Sequence, residues 1–197
     1  MITQFFNTSK PVHFVLIALF TLVVFSISNI SAFNEGLNLN VILIETGKYS
    51  IVLASIFLLN FLVNKNKLSQ KNGYEILIYS LLMAILPVTM HVSEVLIANF
   101  FILLALRRII SLKSNLHVKK KLFDAAVWVA IAALFYFWAI LFFVLIVLAM
   151  LFHTVNNYKN WVIPFLGVIT VAVITMSYTI LADNSFGLLS DYLEGTD

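Results

Sequence analysis

The residues of this chain that could carry acid–base chemistry are few, and the best placed of them are His91 and Glu94. They stand three positions apart, so on one helical turn they would share a face and could form a hydrogen bond. Both lie inside a long apolar block, where ionisable side chains are costly and usually functional. Glu35 follows the first apolar block in the segment AFNEGLN, where a carboxylate could act as a general base. We therefore take Glu35, His91 and Glu94 as the candidate catalytic residues.

An ordinary structural role is the alternative for each acidic candidate. Glu35 would be a solvated loop acid if it lies just past a membrane helix. Glu45, in the segment ILIETGKY, would cap a helix or lie on an interfacial amphipathic helix. The argument that His91 and Glu94 are functional no longer holds if their turn reaches the lipid headgroups, where a charge costs little. The sequence leaves these alternatives open.

Metal, thiol and nucleotide chemistry have no support in the sequence. The chain has no cysteine, and its four histidines are too far apart to show metal-ligand spacing. No phosphate-binding loop, zinc motif, nucleophile elbow or dinucleotide fingerprint occurs. We expect neither a metal nor a cofactor.

The densest basic cluster separates two apolar blocks. Clusters of about four to eight Lys and Arg beside a membrane span can bind anionic lipid headgroups. The same residues would also satisfy the positive-inside rule, which cytoplasmic loops of membrane proteins obey in general. Contact with lipid phosphates or headgroups is a candidate role for Arg107, Arg108, Lys113, Lys119, Lys120 and Lys121.

The composition determines the class of protein that must position these residues. Of the 197 residues, 62% are hydrophobic and 11% are charged, against about 45–50% and about 25% in soluble domains. These values exclude a water-soluble globular protein, a disordered chain and a nucleic-acid-binding domain. A polytopic membrane protein remains.

Apolar blocks long enough to cross a bilayer recur along the chain. A bilayer core about 30 Å thick needs about 20 helical residues, and two of the blocks are too long for one span. Pro87 divides the first of these, because proline breaks or kinks a helix. The aromatic run FYFW at 135–138 divides the second if it lies at the membrane–water interface; a core-facing stripe within one long helix is the alternative. The prediction is an all-α transmembrane bundle of about seven spans in a single domain, at residues 12–33, 49–63 (extendable upstream through 42–44), 75–88, 92–106, 122–136, 138–154 and 161–182.

Two polar side chains lie inside these predicted spans. Asn60 and Asn99 carry amides, which in lipid usually form hydrogen bonds between helices. We expect both to join neighbouring helices.

The placement of charge orients the predicted spans. If the N-terminus is inside, eleven of the twelve Lys and Arg fall in inner loops, and Lys48 alone lies outside. Basic residues in short loops mark the cytoplasmic side of a membrane. We therefore expect a cytoplasmic N-terminus and an acidic C-terminal segment on the outer side.

Two stretches carry a resemblance to a known family. The opening ITQFFNTSKPVHFVLIALF and the stretch RRIISLKSNLHVKKKLFDAAVWVAIAALFYFWAILFFVLIVLA resemble an uncharacterised integral-membrane family of flavobacteria and their relatives, a domain of unknown function. The resemblance covers the whole chain and implies the inner membrane of a bacterium, with the C-terminal segment in the periplasm. Members of that family tend to be longer, which leaves open that this chain is the N-terminal part of a longer protein.

A more distant similarity is to the membrane module of C-type, polyprenol-phosphate-dependent glycosyltransferases. That module has a first span, an outer loop bearing an acid, and short hairpins separated by basic cytoplasmic loops. The similarity implies that an outer carboxylate acts as a base or binds metal near a lipid-linked donor. In this chain the outer candidates are Glu35, Glu45, His91 and Glu94, whereas those enzymes favour Asp in the first loop.

These resemblances imply a cell-envelope subunit connected with lipid-linked sugar or lipid handling. A non-catalytic membrane scaffold for a secretion or motility complex is the alternative. A small-molecule transporter ranks third, because charge pairs at the membrane midplane are nearly absent. The expected partners are membrane lipids, a polyprenol-phosphate sugar or a neighbouring membrane enzyme, and not nucleic acid.

Overall fold

The chain folds into helices joined by short turns. The structure, a computed structural model, describes residue 6 and residues 11–30, 38–69, 72–152 and 158–183. This part of the chain contains eight α-helices, three short 3₁₀ segments and no β-strand, so the all-α prediction is confirmed. The α-helices are α1 (Pro11–Ser28), α2 (Leu39–Asn66), α3 (Tyr74–Ile85), α4 (Val88–His91), α5 (Ser93–Ile110), α6 (Val118–Phe135), α7 (Phe143–Phe152) and α8 (Val162–Asp183).

Both long apolar blocks are interrupted where the sequence indicates. Helix α3 ends at Ile85, two residues before Pro87, and the single turn α4 follows. In the second block the backbone is extended at Tyr136 (φ −142°, ψ 105°), and a 3₁₀ segment runs from Phe137 to Phe142. The two breaks are confirmed. All four aromatic side chains are exposed, and Phe135 also stacks on Phe101 (ring centroids 5.9 Å apart). The alternative of a stripe within one long helix is wrong, because the helix ends at Phe135.

Helix α2 is much longer than the core segment predicted for it. It begins at Leu39 rather than near residue 49, so the upstream extension through 42–44 is the alternative that the structure adopts. Glu45 and Lys48 lower the hydropathy of this stretch, yet they pair within the helix. The part before Lys48 adds about 13 Å of helix at 1.5 Å per residue.

The outer surfaces of the helices are those of a membrane protein. Four helical segments are long and apolar enough to cross a bilayer: Pro11–Ser28, Leu39–Asn66, Ser93–Ser114 and Val162–Leu181. In the most apolar stretch of each segment, between 17% and 33% is buried by protein. The rest leaves a large apolar surface for lipid. Helix α6 is long enough to cross a bilayer but is too highly charged, because it carries three lysines and an aspartate. Helix α3 and the segment 137–152 are apolar but shorter. The number of spans therefore remains a prediction, whereas several membrane-compatible helices are observed.

Helix α6 is the central element of the packing. The most extensive helix contacts in the described residues are those of α5 and α8, and both are made with α6. Its buried face is rich in alanine, and small side chains let neighbouring helices approach closely. Helix α5 also connects two apolar cores, since Leu96 belongs to the cluster with α1–α4 and Ile102 to the cluster with α6–α8.

Contacts of α2 define two levels along the bundle. The Lys48 ammonium lies 3.2 Å from the His91 carbonyl oxygen, and thirteen residues later the Phe61 ring lies 5.0 Å from the Arg107 guanidinium. These levels are roughly 20 Å apart, and the part of α2 from Lys48 to Asn66 is about 27 Å long, close to a bilayer core of about 30 Å. We call the first level the His91 end, and the other, with the loop 111–121, the basic end.

Candidate functional site

The candidate site lies at the His91 end, where the end of α1 meets the turn between α3 and α5. The Ser28 hydroxyl donates a hydrogen bond to the Pro87 carbonyl oxygen across 2.9 Å. The same carbonyl oxygen also accepts a hydrogen bond from the Met90 N–H at 2.9 Å, so the Ser28 hydroxyl is its second donor. This bond attaches the turn to α1 and so positions His91, which follows one helical turn later.

Asn29 sets the orientation and protonation of the His91 ring. Asn29 is fully buried, and its Nδ2 donates to the Phe25 carbonyl oxygen at 3.1 Å. Its Oδ1 therefore faces the His91 Nδ1, 3.0 Å away. Because a carboxamide oxygen only accepts hydrogen bonds, Nδ1 carries a proton. Nε2 has no hydrogen-bond partner among the described residues, so in the neutral ring it can accept a hydrogen bond from a ligand.

A buried ion pair lies beside His91. Lys48 Nζ is 2.8 Å from Glu45 Oε1 and also donates to the His91 carbonyl oxygen. Glu45 is 5% exposed and lies six residues after the start of α2, so it does not cap that helix. Its second oxygen, Oε2, is buried without a hydrogen-bond partner. The Lys48–Glu45 pair thus contacts the backbone of His91, while the imidazole bonds to Asn29.

A groove of about 640 Å³ opens between α1, α3 and α4 at this end. Its walls are mostly apolar, and its polar groups are the side chains of Ser28 and His91. Apolar walls with a few fixed polar groups are typical of small-molecule sites. The lining residues are Val24, Ile27, Ser28, Ala84, Pro87, Val88 and His91.

His91 and Glu94 do not form the pair that the sequence predicts. His91 and Glu94 do not share a helical turn, because the backbone is extended at Val92 between α4 and α5 (φ −86°, ψ 109°). Glu94 is exposed in the first turn of α5 and does not line the groove, so the pairing expected for it is wrong. Glu35 lies outside the described residues. His91 is therefore the candidate that the structure brings into a defined site.

Ser28, Asn29 and Lys48 are site residues that were not among the candidates predicted from the sequence. Ser28 and Asn29 look like ordinary polar residues at the end of an apolar block. Their partners are 59 and 62 positions away, and one sequence carries no signal for such contacts. Lys48 carried a signal, since it is the basic residue that departs from the predicted charge distribution.

The six basic candidates at the other end divide into two groups. Arg108 forms an ion pair with Asp124 at 3.0 Å, Arg107 lies over the Phe61 ring, and Lys121 donates to the Ser111 carbonyl oxygen. Partial desolvation, and secondly the nearby Arg108 charge, lower the pKa of Lys121. The remaining three are exposed and make no ion pair or hydrogen bond with the described residues: Lys113, Lys119 and Lys120.

The two asparagines inside the helices have different partners. Asn99 in α5 donates to the Tyr79 hydroxyl in α3 at 2.5 Å, so its interhelical role is confirmed. Asn60 accepts from Asn64 one turn later in the same helix, so the expectation for Asn60 is wrong.

No metal-binding group was found among the described residues: no three or more His, Asp or Glu side chains come together there. Comparison of the chain with protein-family models, with curated proteins and with solved structures found no match. The functional argument therefore depends on the geometry of the His91 end.

Proposed function

We propose that this chain is a cell-envelope membrane subunit that binds a phosphate-bearing lipid in the groove at the His91 end. The observation that supports this is the groove itself, which combines apolar walls with an imidazole at a helix end. The described helices carry broad apolar surfaces, so lipid would be the ligand at highest local concentration. The proposed orientation places this end on the outer, periplasmic side of the bacterial inner membrane.

The walls and the polar groups suit different parts of one amphipathic molecule. Val24, Ile27 and Val88 offer an apolar surface to an acyl or prenyl chain. His91 offers Nε2, which donates to a phosphate oxygen when the ring is protonated. The Lys48 ammonium beside the His91 carbonyl adds positive potential, although Glu45 offsets much of it. A lipid-linked sugar or a phospholipid has this division between an apolar chain and a phosphate headgroup.

A photoreactive polyprenyl phosphate tests the proposal. The purified protein in nanodiscs would be irradiated with the probe, and cross-linked peptides would be located by mass spectrometry. We expect cross-links at the groove, competition by unlabelled polyprenyl phosphate, and at least about a tenfold loss of labelling in Val88→Trp, which fills the groove. His91→Ala should weaken labelling less, because the apolar contact remains.

The matched control is Val144→Trp, which places the same bulk on an exposed position of α7. It should label like the parent protein. Equal labelling of Val88→Trp and the parent would contradict the proposal and leave the non-catalytic scaffold as the better explanation.

Catalysis has a separate test. If reconstituted vesicles transfer sugar from a polyprenol donor and this transfer survives both Glu35→Gln and Glu94→Gln, neither carboxylate is catalytic. Lipid binding in the groove is independent of that result, because Glu94 does not line it.

A further inference from the structure

The loop between α5 and α6, residues 111–121, is closed by its own hydrogen bonds. Lys121 donates to the Ser111 carbonyl oxygen and, across 2.6 Å, to the Ser114 hydroxyl. The Asn115 N–H donates to the Leu112 carbonyl oxygen at 2.9 Å, and the Leu112 side chain is buried in the α5–α8 core. The loop is therefore anchored at both ends.

Leu116 stands at the tip of this loop in a constrained position. The residues on either side, Asn115 and His117, both have a left-handed backbone (φ 51°), a conformation that residues other than glycine adopt at a cost. Leu116 is 65% exposed, although the neighbouring Leu112 is buried. Two constrained residues thus hold an apolar side chain away from the core.

The lysines around Leu116 are those without internal partners. Lys113 precedes the tip, and Lys119 and Lys120 begin α6. All three are exposed and pair with no described residue, whereas Lys121 holds the loop closed. The surface of the loop combines three available ammonium groups with one exposed apolar side chain.

We propose that the loop 111–121 is a binding site for anionic phospholipid headgroups in the leaflet at the basic end. The three lysines bind the phosphates, and Leu116 enters the boundary between headgroups and acyl chains. A lipid is favoured over an acidic protein or a nucleic acid because the loop joins two helices, and the span Ser93–Ser114 has an apolar surface that runs directly into it. The inference concerns the opposite end of the bundle from the groove and does not rest on it.

A fluorescent label at the loop tip tests the proposal. The chain has no native cysteine, so Leu116→Cys gives one labelling site for bimane. The labelled protein would be placed in phosphatidylcholine nanodiscs that contain equal amounts of either brominated phosphatidylglycerol or brominated phosphatidylcholine. Each lysine near an anionic surface contributes about fivefold in affinity, so three lysines favour an anionic lipid by up to about a hundredfold. Because quenching saturates, we expect the brominated anionic lipid to be favoured by roughly tenfold in quenching.

Two double variants with the same change in charge separate a specific site from general attraction. Lys119→Gln with Lys120→Gln should reduce the preference to about twofold or less. Lys65→Gln with Lys67→Gln removes two lysines from the end of α2 instead and should leave the preference unchanged. All four positions are exposed, so folding is preserved in both variants.

Equal quenching by the two brominated lipids in the parent protein would overturn the proposal. So would an anionic preference that persists in the Lys119 and Lys120 double variant, because the lysines of the loop would then not be the ligands.

Discussion

Lys48 is the one basic residue predicted to lie on the outer side of the membrane. It stabilises the fold through contacts that this prediction does not suggest. Its ammonium joins Glu45 in the same helix to the backbone of the turn that carries His91. Both side chains of the ion pair are largely removed from solvent. Breaking such a pair by removing one partner leaves an uncompensated charge, whereas replacing both partners is much less damaging.

We expect Lys48→Met to lower the free energy of unfolding by about 3 kcal/mol, because Glu45 would be left buried and unpaired. The double variant Glu45→Leu with Lys48→Met should recover most of that loss. The measurement is unfolding in mixed micelles, with exposed Lys67→Met as a control that changes stability by less than about 0.5 kcal/mol. A double variant as unstable as the single one would show that the pair is not the cause.

Loss of the hydrogen bond between Asn99 and Tyr79 should lower the free energy of unfolding by less than loss of Lys48 does. Asn99→Leu should cost about 0.6 kcal/mol, and at most about 1.7 kcal/mol, because hydrogen bonds between membrane helices are weak on average. Asn60→Leu is the matched control, since the Asn60 amide bonds within its own helix. In a double-mutant cycle with Tyr79→Phe the losses should be less than additive. Equal losses at Asn99 and Asn60 would contradict the interhelical role.

At the residue scale, the sequence indicated His91 but not its environment. A histidine inside an apolar block indicates a functional residue because ionisable side chains are costly there. The orientation of that imidazole depends on Asn29, and its turn is attached by Ser28, and both contacts join distant parts of the chain. The pairing with Glu94 failed because helical spacing was assumed where Val92 is extended.

At the scale of elements, the close contact between α6 and α8 gives a sharp prediction. A Cβ on Gly167 would lie 2.8 Å from the Ala126 Cβ and 3.0 Å from the Phe123 carbonyl oxygen, and neither atom can rotate away. We expect Gly167→Ala to destabilise the protein by about 1–2 kcal/mol, because overpacking exceeds the gain in helix propensity.

Gly47→Ala is the matched control, because no atom lies within 4 Å of its added Cβ. It should raise the free energy of unfolding by about 0.5–1 kcal/mol, the usual advantage of Ala over Gly in a helix. The same unfolding titration measures both variants. A Gly167→Ala protein as stable as the parent would contradict the close approach of α6 and α8.

The helix breaks could be predicted from sequence because they have local causes. Pro87 lacks a backbone donor, and the second block was simply too long for one span. The start of α2 was harder to predict, because Glu45 and Lys48 are typical of a loop in the sequence, whereas in the structure they pair within the helix. The central place of α6 was not predictable, because its first turns carry three lysines and Asp124, and one sequence does not indicate which helices it contacts.

At the scale of the whole molecule, the two features proposed to bind lipid lie at opposite ends of one bundle. The groove and His91 lie at one end, and the loop 111–121 lies at the other, separated by roughly the thickness of a bilayer core. The proposed roles of both features therefore depend on one orientation, with the basic loop in the cytoplasm and the groove at the outer surface.

Labelling of single cysteines in intact cells tests that orientation most directly. Thr89→Cys lies in the turn α4 at the His91 end, Phe137→Cys follows the end of α6 that is remote from the basic loop, and Ser114→Cys lies in that loop. We predict that a membrane-impermeant thiol reagent labels the first two from outside and labels the third only after the cells are permeabilised. Labelling of Ser114→Cys in intact cells, or protection of Thr89→Cys and Phe137→Cys there, would contradict the proposed orientation.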